Sequence, residues 1–308
     1  MSSPSSSSSP KKTLAIFGAT GHQGRALITH ILSDPFLSSQ YSIRALTRDT
    51  TSPQSQSLLK SYPSISLTPA DVTLPSTLTS ALSKVHTVFA MTNPSFGPTS
   101  FEDELQQAKN IADASLQAQI QHLIFSTLPS VTQISSGKYT KCTPFDAKAG
   151  AEKYIRSLPI KSSFYAPAFF MQNFYTSPFL APRLARDGSK TWELIRANSP
   201  ETKHRLSMPS GTEASLSERS SPNRKMVYRQ VSVGEFKAGL GLPEEVAEVF
   251  VDGFGFYEEF GYYGEDGEEK MKWARENTRD LPDGTGLMIL EGYLRKYPFK
   301  LGAWEPGK

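Results

Sequence analysis

Cysteine is nearly absent from the chain, with one residue, Cys142, among 308. No disulfide can close within it, which fits a reducing compartment. With no histidine close by in sequence, the lone thiol reads as an ordinary unreactive residue rather than a nucleophile. Long apolar runs are lacking too: no stretch approaches the length that spans a bilayer. The opening MSSPSSSSSPKK has no apolar core of the kind a secretory signal needs. It reads as a disordered polar tail over residues 1–11. The formal net charge is only +3, and no basic block stands out. Charge therefore gives no reason to expect a nucleic-acid partner, and neither a membrane nor a metal is expected. A cytoplasmic setting is expected, with the nucleus also open. A hydrophobic content of 38% suffices for a real core, and the length suits one large α/β domain, alone or with a small lobe.

What the chain does contain begins at Thr13–Leu32, TLAIFGATGHQGRALITHIL. A short apolar run leads into glycines and then into apolar residues at helical spacing, which reads as strand, tight turn, helix. The glycines are spaced GxxGxxG. Gly18 lets the chain leave the strand sharply, Gly21 lets backbone approach a pyrophosphate, and Gly24 lets the helix pack closely. The open N–H groups at the helix start, with the positive dipole end, then bind phosphate. A ligand-free glycine turn is the alternative, but the strand before and the helix after supply the context that a dinucleotide site demands.

A second strand is expected at Tyr41–Thr47, and it ends in Thr47-Arg48. Enzymes that use unphosphorylated NAD usually place an acid there, on the ribose 2′-hydroxyl. A guanidinium suits a 2′-phosphate instead, so NADP(H) is the expected cofactor; Asp49 is the argument for NAD. Ile65–Pro69 reads as strand three, ending at Ala70-Asp71-Val72, where Asp71 either reaches an adenine amine or caps the next helix. That helix, headed by Pro75, follows from Leu74 to about Leu82. Thr87–Met91 is a short apolar strand that leads into Thr92-Asn93-Pro94. Phe101, Leu105, Ala108, Ile111, Ala112 and Leu116 share one face of a helix. His122–Ser126 is strand five, with His122 at its edge rather than in catalysis, and Lys161–Tyr165 fits a sixth. This alternation implies a doubly wound parallel sheet with right-handed crossovers.

Chemistry would sit after strand five. Short-chain reductases generally use a Tyr followed four residues later by Lys on one helix face. No Tyr in this chain has Lys four residues on, and Tyr139 precedes Lys148 by nine. Lys148 reads as a ribose-binding or proton-donating lysine, or else as a solvated residue on the first helical turn, where its charge opposes the helix dipole.

GATGHQG, the Thr47-Arg48 strand end, the Met91-Thr92-Asn93 loop, FDAK and APAFFMQNF together resemble the NmrA-like family of atypical short-chain dehydrogenase relatives. The resemblance covers roughly residues 12 to 180 and again 226 to the end. It implies NADP(H) contacts at Gly18, Ala19, Thr20, Gly21, His22, Gln23, Arg48, Asp71, Val72, Met91, Thr92, Asn93, Lys148, Phe170, Met171, Gln172 and Asn173. The chain is accordingly expected to divide into a Rossmann domain over 12–180, an irregular polar linker over 181–225, where it departs from the family pattern, and a small C-terminal substrate lobe over 226–308. Leu206–Arg224 reads as serine-rich loop. A block of family sequence expected between residues 205 and 226 is absent, either deleted or lost to mis-splicing, which would truncate the lobe and leave a strand edge uncovered. Ser232 and Glu235 have capping-box spacing, with Val231 and Phe236 as a staple. The aromatics from Phe254 to Tyr263 read as core packing rather than a substrate cleft.

The family includes NADP-sensing regulators and reductases. With the glycine loop intact and the Tyr-Lys pair missing, the expected function is a nucleotide-sensing regulator that contacts a partner protein. The alternatives are an NADPH-dependent reductase that uses Lys148 on a small-molecule substrate, and an inactive truncated paralogue.

Overall fold

The computed structural model describes residues 10–170, 173, 177–185, 187, 191–199 and 226–277. By contacts these form two compact units that interleave along the chain. The first comprises residues up to Ser95, Glu102–Thr127 and Ala147–Tyr165; the second comprises Phe96–Phe101, Leu128–Asp146 and the chain from Ala166 on. The sequence divides the chain at residue 180, whereas the contacts divide it in several places.

Six strands make the sheet of the first unit: β1 (Lys12–Ile16), β2 (Tyr41–Thr47), β3 (Ser66–Pro69), β4 (Thr87–Ala90), β5 (His122–Ser126) and β6 (Ser162–Tyr165). They pair in parallel in the order β3-β2-β1-β4-β5-β6. The parallel ladder follows from the connections, because each strand is followed by a segment long enough to cross back over the sheet. The helices are α1 (His22–Ser33), α2 (Pro35–Gln40), α3 (Pro53–Ser61), α4 (Pro75–Ala81), α5 (Ser100–Gln117), α6 (Val131–Ile134) and α7 (Thr143–Arg156).

The sheet is covered on both faces, and alternation along β1 shows how. Leu14 and Ile16 join a core with Ile28 of α1 and Leu58 of α3. Ala15 and Phe17 join another with Leu78 of α4, Ile111 of α5 and Ile155 of α7. Strands buried on both faces read as continuous apolar runs, and β4, Thr-Val-Phe-Ala, is buried throughout. The doubly wound α/β architecture is thus present, with the strand order reversing between β1 and β4. In such a sheet that reversal opens a crevice beyond the strands' carboxyl ends.

The second unit carries a smaller sheet, two of whose strands lie within the region expected to be an irregular linker. Here β7 (Arg183–Leu184) lies antiparallel to β8 (Trp192–Arg196), which pairs in parallel with β9 (Met226–Gln230). The linker expectation for 181–225 is corrected to that extent: Trp192, Leu194 and Ile195 supply aromatic and branched side chains that suit a half-buried pleat. Leu206–Arg224 lies outside the described residues. Three helices follow, α8 (Val233–Gly239), α9 (Glu244–Phe260) and α10 (Gly267–Asn277). Ser232 caps α8 by accepting from the Glu235 N–H at 3.1 Å. The Glu235 carboxylate does not complete a capping box, because it accepts from Arg229 instead, at 2.8 Å. Val231 and Phe236 share one core, as a staple requires.

The α9 aromatics pack inward. Phe254 and Phe256 are buried, and the Tyr257 and Tyr262 rings stack at 5.0 Å. Cys142 is buried against the Gly253 backbone in the same core. Among the described residues no helix is long and apolar enough to cross a membrane.

Candidate functional site

The loop between β1 and α1 is shaped by two glycines. Gly18 stands at φ +67°, in the left-handed region, and a Cβ there would meet the Met91 sulfur at 2.7 Å. A Cβ at Gly24 would meet the Gly18 carbonyl oxygen at 2.3 Å and the Ala19 Cα at 2.6 Å, so the first turn of α1 lies directly on the loop. The Gly21 N–H donates to the Gly18 carbonyl at 3.0 Å. Gly21 is the N-cap of α1 and supplies no capping side chain, and the first turn holds no acid. Helix geometry leaves the N–H groups that follow without intrahelical acceptors, so the positive end of the dipole is open.

Two further features of this loop come from the structure alone. Arg25 donates to the Thr20 carbonyl at 3.0 Å and to the Gln54 carbonyl at 3.2 Å, tying the loop to α3. The Gln23 amide is buried, and neither its nitrogen nor its oxygen has a hydrogen-bond partner among the described residues. Leaving such a group unsatisfied costs about 1–3 kcal/mol, so it marks a position where a partner from outside the chain fits. His22 is exposed beside it.

At the ends of β2 and β3, Arg48 is exposed and lies near Asp71, whose carboxyl its charge helps to hold below the usual range. The larger causes of that shift are the N–H and hydroxyl of Thr73, which donate to Asp71 at 2.9 and 2.7 Å. Asp71 therefore closes a local turn rather than capping a helix; the N-cap of α4 is Leu74. Asp49 is committed in the same way, accepting from the Thr51 N–H and hydroxyl, both at 2.7 Å. The Val72 carbonyl accepts from Asn110 at 2.8 Å.

Beyond β4, Thr92 is buried and Asn93 exposed. The Thr92 hydroxyl donates to Glu104 Oε1 at 2.6 Å, and Lys148 Nζ forms an ion pair with that same oxygen. Glu104 is 2% exposed and Lys148 8%. The first-turn, solvated alternative for Lys148 is thus overturned. It is the sixth residue of α7, one turn past the N-terminus, where the dipole's influence has faded. Asp146 holds the first turn instead, accepting from Ser130 and Thr132, each at 2.7 Å.

Glu104 was missed in the sequence, although a signal was present. It lies three residues after Phe101 and four before Ala108, on the apolar face of α5. A lone acid on such a face calls for a buried cation, and Lys148 answers it.

The remaining candidates belong to the second unit. Phe170 and Asn173 are half-buried, and the Asn173 N–H donates to the Phe170 carbonyl at 2.9 Å. Met171 and Gln172 lie outside the described residues. The Tyr139 hydroxyl donates to Glu259 at 2.7 Å. Burial, then that carboxylate, push the tyrosine's pKa well above its ordinary value, which makes it a weaker acid. The structure therefore brings together the candidates from Gly18 to Gly24 with Met91, Arg48 with Asp71, and Thr92 with Lys148.

Several known proteins are similar to this chain. The NmrA-like family domain-containing oxidoreductase ptmS of Penicillium ochrochloron is 30% identical over 173 residues, covering 53% of this chain and 49% of that protein. The nitrogen metabolite repression protein nmrA of Emericella nidulans is 27% identical over 191 residues, covering 59% and 49%. The chain thus spans about half the length of the curated relatives it matches. Among solved structures, the negative transcriptional regulator NmrA superposes with a TM-score of 0.68 at 20% identity, covering 94% of this chain and 96% of that one. The Citrobacter sp. triphenylmethane reductase complexed with NADP(H) gives 0.63 at 17%, covering 92% and 99%. Both likenesses speak for the fold alone. A model of the NmrA-like family matches residues 10–214, well over half of the sequence, and the chain belongs to that family.

Proposed function

We propose that the first unit binds NADP(H) and that the chain acts as a nucleotide-sensing regulator, holding the cofactor without turning it over. The residues fit such a ligand. The glycine loop and uncapped start of α1 suit a pyrophosphate, and the orphaned Gln23 amide offers a donor and an acceptor at the same place. Arg48 suits a 2′-phosphate, while the acid that would favour NAD, Asp49, is bound up in its own turn.

The observation that carries the regulator reading is the buried Thr92–Glu104–Lys148 cluster. NADPH, when bound, supplies a hydride, and a reductase must then deliver a proton. For Lys148 to give up its own, Glu104 would be left as a buried carboxylate without its counter-charge, which is strongly unfavourable. A signalling role calls for a partner protein and fits a cytoplasmic or nuclear setting.

A second reading, an NADPH-dependent reductase, has support from the same cluster and from relatives named as oxidoreductases. Glu104 then serves to orient Lys148 rather than to disarm it. Calorimetric titration with NADPH, NADP+ and NAD+, followed by incubation of NADPH with quinones and enones, separates the two. Tight binding with no loss of cofactor absorbance is the expected result. Turnover that Lys148→Ala abolishes would replace the regulator with the reductase, and a flat calorimetric trace on folded protein would leave the inactive paralogue. Arg48→Ala is expected to weaken NADP+ more than NAD+.

A further inference from the structure

We infer that a cavity beside the β7–β8–β9 sheet is a binding site for a small organic acid, with Arg196 anchoring the carboxylate and an apolar wall receiving the body. The cavity has a volume of about 600 Å³, within the span of small-molecule sites. Phe179, Ile195, Phe236 and Leu240 form its apolar wall, and Arg183 and Arg196 line it as well. All of these residues belong to the second unit, so the inference is independent of the dinucleotide site.

Arg196 is what marks the cavity as more than a packing fault. It is 5% exposed, yet it forms no ion pair among the described residues. Its guanidinium donates to the Ile195 carbonyl at 2.8 Å and the Leu180 carbonyl at 2.7 Å, and lies 5.3 Å from the centre of the Phe254 ring. Arginine presents five N–H donors in a fixed fork, so those two bonds leave part of the fork unclaimed. Burial, opposed by Tyr228 and reinforced by the like charge of Arg183, lowers its pKa to about 10. It is still a cation at neutral pH, buried without a matching anion among the described residues.

The other charges of the lining do not supply one. Arg229 takes up Glu193 at 3.1 Å and Glu235 at 2.8 Å, and Asp187 is exposed. A carboxylate matches a guanidinium fork bidentately, and the surrounding wall favours an apolar body over a second charge. Phosphate, a smaller and more highly charged anion, gains nothing from that wall.

The test is calorimetric titration of the full chain with benzoate, phenylacetate and octanoate, beside phenylacetamide as an uncharged control and inorganic phosphate. At least one acid is expected to bind, and for phenylacetate the amide should be roughly 10- to 100-fold weaker. Arg196→Met should abolish the acid's binding while the far-UV circular dichroism stays unchanged. Should that variant not fold, Arg183→Gln decides, with several-fold weaker binding expected from loss of the second positive charge. No binding by any of the acids, equal binding of amide and acid, tighter binding of phosphate, or unchanged affinity in the folded variants would each overturn the assignment.

Discussion

Each unit of this protein buries a cation, and the two do so in opposite ways. In the first, Lys148 meets Glu104 and the carboxylate is further held by Thr92, so the charges close on themselves. In the second, Arg196 is met by backbone carbonyls and an aromatic ring. A buried charge whose partner is built in is a structural commitment, because breaking the pair strands the other member. A buried cation without an acid leaves room for an anion from outside. The contrast separates a cluster that resists chemistry from a cavity that invites a ligand.

The largest expected effect tests that contrast directly. Glu104→Leu should destabilise the first unit by about 3–5 kcal/mol, since the Lys148 ammonium is left buried and alone. Arg196→Met should cost less, about 1–3 kcal/mol, because only the Ile195 and Leu180 carbonyls lose a donor and no acid among the described residues is stranded. Urea unfolding followed by far-UV circular dichroism measures both, and equal losses would erase the distinction.

A smaller effect comes from placing one methyl group in each unit. Gly24→Ala pushes a Cβ into the Gly18 backbone at 2.3 Å, which backbone cannot easily yield, so a loss of about 1–3 kcal/mol is expected together with loss of NADPH affinity. Gly234 in α8 has nothing within 4 Å of its would-be Cβ. There the same substitution should stabilise by up to about 1 kcal/mol, through helix propensity and a less flexible unfolded chain. Thermal melts of both variants check the signs, and a Gly24→Ala protein as stable as the parent would show that the loop is loose.

The smallest effect is a pH dependence carried by two histidines of the first unit. His86 and His122 both have pKa values lowered, first by burial and then by neighbouring lysines. The unfolded chain therefore takes up protons that the folded chain resists. The stability these residues contribute is complete above the ordinary imidazole pKa, about 6.5, and falls away as pH drops through the lowered folded values. The described part of the second unit holds no histidine and contains Trp192 and Trp273, with no tryptophan in the first unit. Between pH 7 and 6 the circular-dichroism transition should weaken more than the tryptophan fluorescence transition. Replacing both histidines with glutamine should remove the difference.

The first unit was legible in the sequence almost strand by strand. Its elements are local: a short apolar run, a turn and a helix recur, and the parallel order follows from the crossovers. β2 and β5 fall on the residues expected. What was illegible there depends on partners far apart in sequence, as between Glu104 and Lys148. Lys148 could be singled out, but whether it met solvent or an acid was decided by how α5 and α7 pack. The second unit was harder for the same reason throughout. β8 and β9 pair in parallel across a long separation, and WELIR is too short and too mixed in polarity to stand out from its surroundings. Arg196 gives no local sign of burial, since nothing around it in sequence separates a buried guanidinium from an exposed one.

The solitary thiol, wedged against the Gly253 backbone, has a practical consequence. Because Cys142 is the chain's only sulfhydryl, an alkylating or thiol-exchange reagent has a single place to react, and only when that core opens. The rate of labelling then serves as a stopwatch on local opening, with no engineered probe. Run with and without nucleotide, or with and without an organic acid, it reports whether either ligand makes itself felt at this one sulfur.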